Sequence, residues 1–84
     1  MKKITIYTGP LCNYCEAAKR LLTRNSANYN ENNIETVDGA MDEMIKKANG
    51  KRTIPQIFFD DQHIGGYDEV RALEKENKLQ DLLK

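Results

Sequence analysis

Residues 3–8, Lys-Ile-Thr-Ile-Tyr-Thr, alternate in character, with Ile4 and Ile6 on one face. A period of two in a stretch rich in β-branched and aromatic residues predicts a strand. Gly9-Pro10 breaks it. From about Asn13 the period lengthens. Cys15, Ala18, Leu21 and Leu22 recur at three- and four-residue steps, and Lys19, Arg20 and Arg24 face water. That pattern predicts an amphipathic helix fading at Asn25-Ser26. The Asn-rich stretch 27–33 reads as a connection, and Ile34 and Val37 mark a short second strand near 33–37. Asp38 is the expected N-cap of a second helix. Met41, Met44, Ile45 and Ala48 form its apolar face and Asn49-Gly50 its stop.

Thr53-Ile54-Pro55 then leads into a third strand, Gln56-Ile57-Phe58-Phe59. Asp60-Asp61 reads as a tight turn, His63-Ile64 as a short return strand and Gly65-Gly66 as its end. Asp68 is the expected cap of a final helix carrying Val70 and Leu73. Leu79, Leu82 and Leu83 continue a helical pattern after a break near Asn77. The order is β-α-β-α-β-β-α, an α/β pattern. Two strand-helix units in succession predict a parallel pair with a right-handed crossover. No repeat, linker or low-complexity segment interrupts the 84 residues, so one domain spanning 1–84 is expected. Its radius of gyration should be about 12 Å.

Charge narrows the choice of partner. Thirteen Lys and Arg balance thirteen Asp and Glu, and each half of the chain is neutral by itself. A basic nucleic-acid arm, a polybasic membrane patch and an acidic tail are thereby excluded. Apolar runs of a few residues fall far short of the roughly 20 needed to span a bilayer. Lys2 and Lys3 are followed by no apolar h-region, so the start does not read as a signal peptide, and a cytoplasmic location is expected.

The two cysteines form Cys12-Asn13-Tyr14-Cys15. As a staple the pair is poor, since so short a loop removes only about 2 kcal/mol of chain entropy. Zinc would want four ligands, and His63 is the only other soft candidate, distant in sequence. One C-x-x-C following a strand favours redox chemistry.

Four stretches give that motif a setting. Ile6-Tyr7-Thr8, the C-x-x-C followed by Ala18-Lys19, Thr53-Ile54-Pro55-Gln56-Ile57-Phe58, and His63-Ile64-Gly65-Gly66-Tyr67-Asp68 fall in one order and spacing. Together they resemble the glutaredoxin family over essentially the whole chain, nearest to its small bacterial two-cysteine members of the glutaredoxin 3 type. The resemblance implies a thioredoxin-like fold: a four-stranded mixed sheet, order 2-1-3-4, flanked by helices, with Pro55 in cis. It also implies a glutathione-dependent thiol-disulfide oxidoreductase that reduces protein disulfides and protein-glutathione mixed disulfides, acting as a monomer.

Cys12 precedes the first helix, where unpaired N–H groups and the helix dipole favour a negative sulfur. It is the expected nucleophile and Cys15, one turn on, the resolving thiol. Lys19 and Arg20 are expected to add positive potential. Glutathione carries one ammonium and two carboxylates, so its site needs both signs. By the resemblance Tyr14 borders the groove, Thr53, Ile54 and Pro55 line it, and Gly66 allows close approach. Tyr67 and Asp68 take the γ-glutamyl end through helix-start N–H groups and the Asp68 carboxylate.

Two positions depart from the family pattern. Gly9 stands where relatives commonly place a lysine for the glycine carboxylate of glutathione, so Lys51 is expected to carry more of that task. Asn13 stands where two-cysteine relatives usually have proline, restoring an N–H and offering a capping side chain. Some relatives lacking that proline hold a [2Fe–2S] cluster between two protomers on Cys12-like thiolates and glutathione. A dimeric cluster carrier or sensor is therefore the alternative function. A thioredoxin-like protein reduced directly by a protein reductase is a third reading, disfavoured by Gly65-Gly66-Tyr67-Asp68.

Overall fold

A computed structural model describes residues 2–84. Four strands and four helices follow in the order β1 (Ile4–Thr8), α1 (Asn13–Arg24), β2 (Tyr29–Asn33), α2 (Ala40–Lys47), β3 (Gln56–Phe59), β4 (Gln62–Gly65), α3 (Tyr67–Lys75) and α4 (Leu79–Leu83). They build one sheet of order β2-β1-β3-β4. β1 and β2 run parallel, and β3 is antiparallel to both β1 and β4. This is the mixed sheet the resemblance implied. The radius of gyration is 11.8 Å.

The period of two in the central strands is used on both faces. Ile4, Ile6, Ile57 and Phe59 pack with Ala18, Leu21 and Leu22 of α1, Val70 of α3, and Leu79 and Leu83 of α4. Tyr7 and Phe58 point the other way and pack with Ala40, Met44 and Ala48 of α2. Both sheet faces are therefore covered, and β3 is buried throughout. Helices α1 and α3 on one face and the cis Ile54–Pro55 bond leading into β3 bring three chain segments to one end of the sheet.

Four local expectations need correction. The second strand is Tyr29–Asn33, not 33–37. Its residues are nearly all polar, because an edge strand needs ladder pairing more than burial. Its register with Ile4–Thr8 supplies that pairing. Ile34 closes the ladder by donating to the Thr8 carbonyl at 2.8 Å, and Val37 is exposed in the turn that follows. Gly39, not Asp38, occupies the N-cap of α2, and Met41 is exposed rather than part of the apolar face. Helix α3 begins at Tyr67 with Gly66 as N-cap, so Asp68 lies in its first turn instead of capping it. The expected break near Asn77 is present, with Asn77 at φ 59°.

Candidate active site

The cysteines sit where β1 hands over to α1. Pro10 and Leu11 form the turn, with Leu11 at φ 52° and its side chain fully exposed. Cys12 is the N-cap of α1 in extended conformation, and its sulfur accepts the Cys15 N–H at 3.1 Å. The cap is thus the sulfur, not the Asn13 side chain. Cys15 is one turn in, 1% exposed, while Cys12 is partly exposed. The two are joined in a disulfide with Cα atoms 5.2 Å apart.

Beside this turn lies an open groove of about 330 Å³. Tyr14 of α1 and Tyr67 of α3 form one side, with ring centroids 5.9 Å apart. Lys51, Thr53, Ile54 and Pro55 form another, and Gly66 and Asp68 complete the end at α3. Every residue expected to meet glutathione therefore borders one cavity. A Cβ on Gly66 would stand 3.2 Å from the Pro55 carbonyl oxygen, so a bare residue lets α3 approach the cis-proline segment closely.

The groove lining carries both signs of charge, Lys51 against Asp68 and Glu69. Lys51 is exposed at one wall, and neither it nor Asp68 is ion-paired among the described residues. At the α3 end, the amides of Tyr67 and Asp68 belong to a first helical turn and have no intrahelical acceptor. The Gly66 N–H is taken internally by the Glu69 carboxylate at 2.5 Å.

Gly9 lies against movable side chains. A Cβ there would fall 2.6 Å from Cδ1 of Ile54 and 3.5 Å from Ile34. A side chain at position 9 would require the end of the Ile54 side chain to turn aside.

Lys19 and Arg20 are not brought to the groove. They border a separate hollow with Glu16, Thr23, Arg24 and Tyr29. Lys19 is ion-paired with Glu16 at 2.7 Å and Glu31 at 3.2 Å, and those carboxylates hold its ammonium above its usual range. The expectation that it points freely to water is corrected, and its charge is largely met before it can act on Cys12.

The geometry is a helix-capping sulfur, an internal disulfide partner and an adjoining groove. The glutaredoxin family model matches residues 4–64. Glutaredoxin 3 of Escherichia coli is 43% identical over 84 residues, covering all of both chains. The chain belongs to the glutaredoxin family. The solution structure of glutaredoxin from Brucella melitensis is 44% identical with a TM-score of 0.85, covering 100% of this chain and 90% of that one. A buckwheat glutaredoxin-glutathione complex is 26% identical with a TM-score of 0.85, covering 98% of this chain and 76% of the other. Membership makes the protein a thiol-disulfide oxidoreductase, with Cys12 and Cys15 as its cysteine pair.

A [2Fe–2S] cluster takes four thiolate-type ligands. Of this chain's residues, Cys12 would supply the one thiolate per protomer that a cluster shared with glutathione between two copies requires, and it would do so only in the reduced protein, since here Cys12 is bonded to Cys15. No helix is long and apolar enough to cross a membrane among the described residues.

Two groove residues escaped the sequence reading. Gln56 and Glu69 both border the cavity. Gln56 sits in a strand pattern and Glu69 in a helix pattern, so neither stood out. His63 is half-buried and stacked on Phe58 with centroids 4.9 Å apart. Burial first, then Lys51, pushes its imidazole below the usual value, with Glu69 opposing.

Proposed function

We propose that this glutaredoxin uses glutathione as its reductant and reduces protein disulfides and protein-glutathione mixed disulfides, as a monomer in the cytoplasm and as one domain spanning 1–84. The observation that carries the reading is the single groove bordered by Tyr14, Lys51, Thr53, Ile54, Pro55, Gly66, Tyr67 and Asp68, whose lining carries both a cation and a carboxylate. A zwitterionic tripeptide is complementary to that arrangement. Lys51 would meet the glycine carboxylate, the Tyr67 and Asp68 amides the γ-glutamyl carboxylate, and the Asp68 carboxylate its ammonium. The relative from buckwheat is a complex with glutathione.

Chemically, the Cys12 thiolate attacks one sulfur of a client disulfide, forming a mixed disulfide and releasing one client thiolate. Cys15 then attacks Cys12, releasing the second client thiolate and leaving the Cys12–Cys15 disulfide. One glutathione thiolate attacks Cys12 of that disulfide and frees Cys15. A second attacks the bound glutathione sulfur, giving glutathione disulfide and the Cys12 thiolate. Two glutathiones thus supply the two electrons. For a glutathionylated client, Cys12 takes the glutathionyl group directly and Cys15 is not needed. The helix-start amides, chiefly the Cys15 N–H, stabilise the leaving and attacking Cys12 sulfur.

The test is a coupled disulfide-reduction assay with and without glutathione, on a glutathionylated peptide and on an intramolecular peptide disulfide. Turnover that saturates with glutathione is expected. Equal turnover driven by a protein reductase with no glutathione present would overturn the reading.

A further inference from the structure

The wall segment 52–55 poses a question of anchorage. Lys51 N–H donates to the Ala48 carbonyl, and Gln56 begins the ladder opposite Tyr7. Among the described residues, no main-chain hydrogen bond ties residues 52–55 between those two points. The segment therefore needs another tether if its backbone is to stay available to a ligand.

A buried amide supplies one. Gln56 is 3% exposed. Its Nε2 donates to the Thr53 carbonyl at 3.0 Å and to Thr53 Oγ1 at 3.1 Å. Its Oε1 lies 2.7 Å from His63 Nε2. Turning the amide over would set its oxygen against the Thr53 carbonyl, two acceptors face to face, so the orientation is fixed by chemistry. Oε1 must then accept, and His63 must carry its proton on Nε2. The ring is itself held on Phe58. A directed chain runs from β4 through a buried side chain to the groove wall: His63 to Gln56 to Thr53.

We propose that Gln56, oriented by His63, is a positioning residue that fixes Thr53, Ile54 and Pro55 in the conformation that receives the glutathionyl substrate. The inference rests on the glutathione reading of the groove. It assigns Gln56 no contact with the reacting sulfurs. The side chain holds in place the backbone to which the substrate docks, and loss of such placement costs binding before it costs chemistry.

Three measurements test it. First, nitrogen-detected NMR of the His63 ring should show the proton on Nε2. A ring protonated on Nδ1 alone reverses the chain and overturns the proposal. Second, Gln56→Met keeps length and apolar packing but donates nothing. It should raise KM for a glutathionylated peptide about tenfold, the worth of two modest hydrogen bonds, with kcat little changed. Reduction of the Cys12–Cys15 disulfide by dithiothreitol, which needs no peptide docking, should keep its rate. Third, the NMR order parameter of the Ile54 backbone amide in the free oxidised protein should fall, while those of amides in α1 stay unchanged. His63→Phe preserves the stack on Phe58 and should produce a weaker form of both changes.

A folded Gln56→Met with wild-type KM and a wild-type order parameter at Ile54 overturns the proposal. If Gln56→Met does not fold, His63→Phe decides, and an unchanged order parameter at Ile54 in that variant has the same consequence. The relaxation readout uses no glutathione. Wild type that fails to saturate with glutathionylated peptide therefore sinks the functional reading alone, and the Ile54 order parameter still judges Gln56.

Discussion

The amide of Cys15 donates to the sulfur of Cys12 at 3.1 Å, and the same Cys15 closes the disulfide with that sulfur. One residue thus serves as electrostatic partner through its backbone and as redox partner through its side chain. The spacing of three makes both possible. Cys12 is the N-cap of α1 and Cys15 its third residue, the position whose free N–H points back at the cap. A longer loop between the cysteines would break the hydrogen bond before it broke the disulfide.

Cys12→Ser should abolish reduction of both substrate classes. Cys15→Ser should keep reduction of glutathionylated peptide and lose that of the intramolecular peptide disulfide by at least tenfold, because no resolving thiol remains. In the reduced protein, brief iodoacetamide treatment should modify Cys12 and spare Cys15, which is 1% exposed. Mass spectrometry of the alkylated peptides reads the result, and survival of activity in Cys12→Ser would contradict the assignment of the nucleophile.

Lys51→Ala should raise KM for the glutathionylated peptide about threefold to tenfold, as expected for a charged contact to a carboxylate at a partly solvated wall. Raising the ionic strength should erode the wild-type advantage, since the pair is exposed to screening. Lys51→Glu should be worse than Lys51→Ala. Steady-state kinetics on the three proteins at two salt concentrations checks this. An unchanged KM in Lys51→Ala would leave Lys51 a solvated surface lysine.

Much of this could be read from the chain because hydrophobic period and burial coincide in the elements that build the sheet centre. Ile4, Ile6, Ala18, Leu21 and Leu22 are each buried as their spacing demands. β2 escaped because Tyr29-Asn30-Glu31-Asn32-Asn33 is held by its parallel ladder with β1, and backbone pairing leaves no mark in side-chain polarity. The groove-lining residues emerged through family motifs, which carry position without mechanism. Gln56 and His63 illustrate the remainder: their contact crosses from β3 to β4, and its chemistry depends on which amide atom faces which ring nitrogen. Lys19 shows the opposite failure. Its place on the helix was legible, but its pairing with Glu31 of a misplaced strand was not.

Acid stability should depend on Glu74. Its carboxylate takes hydrogen bonds from Arg24 at 2.7 and 3.0 Å and from Asn25 at 2.7 Å, tying the end of α1 to α3. Arg24 above all, then Asn25 and Arg71, hold its carboxyl down at about 2 against an ordinary 4.5. A depressed carboxyl contributes stability that is present above the unfolded value and lost as pH falls. Glu74→Gln should therefore be less stable than wild type at neutral pH, by the modest amount of a solvent-screened ion pair. The gap should narrow as pH falls from 4.5 towards 2. Urea midpoints of both proteins across that range test it, and a gap that is constant with pH would refute the linkage.

Alkaline behaviour should report Tyr7. The ring is fully buried against Phe58, and its hydroxyl donates to the Glu43 carboxylate on α2. Burial first, then that carboxylate, pushes the phenol up to about 12 from an ordinary 10.0. Here the protonated form is the one the fold favours. Its contribution is full below pH 10 and is lost as pH rises from 10 towards 12. Of the four tyrosines, one should ionise late in an ultraviolet titration, and Tyr7→Phe should remove that late step. The same variant should cost about 1 kcal/mol near neutrality, the net worth of one hydrogen bond, and lose the wild-type decline between pH 10 and 12. Because neither Tyr7 nor Glu43 lines the groove, kcat on glutathionylated peptide should remain at the wild-type value. A fall in kcat greater than the loss of folded protein would mean that the pairing of β1 with α2 is felt at the cysteines.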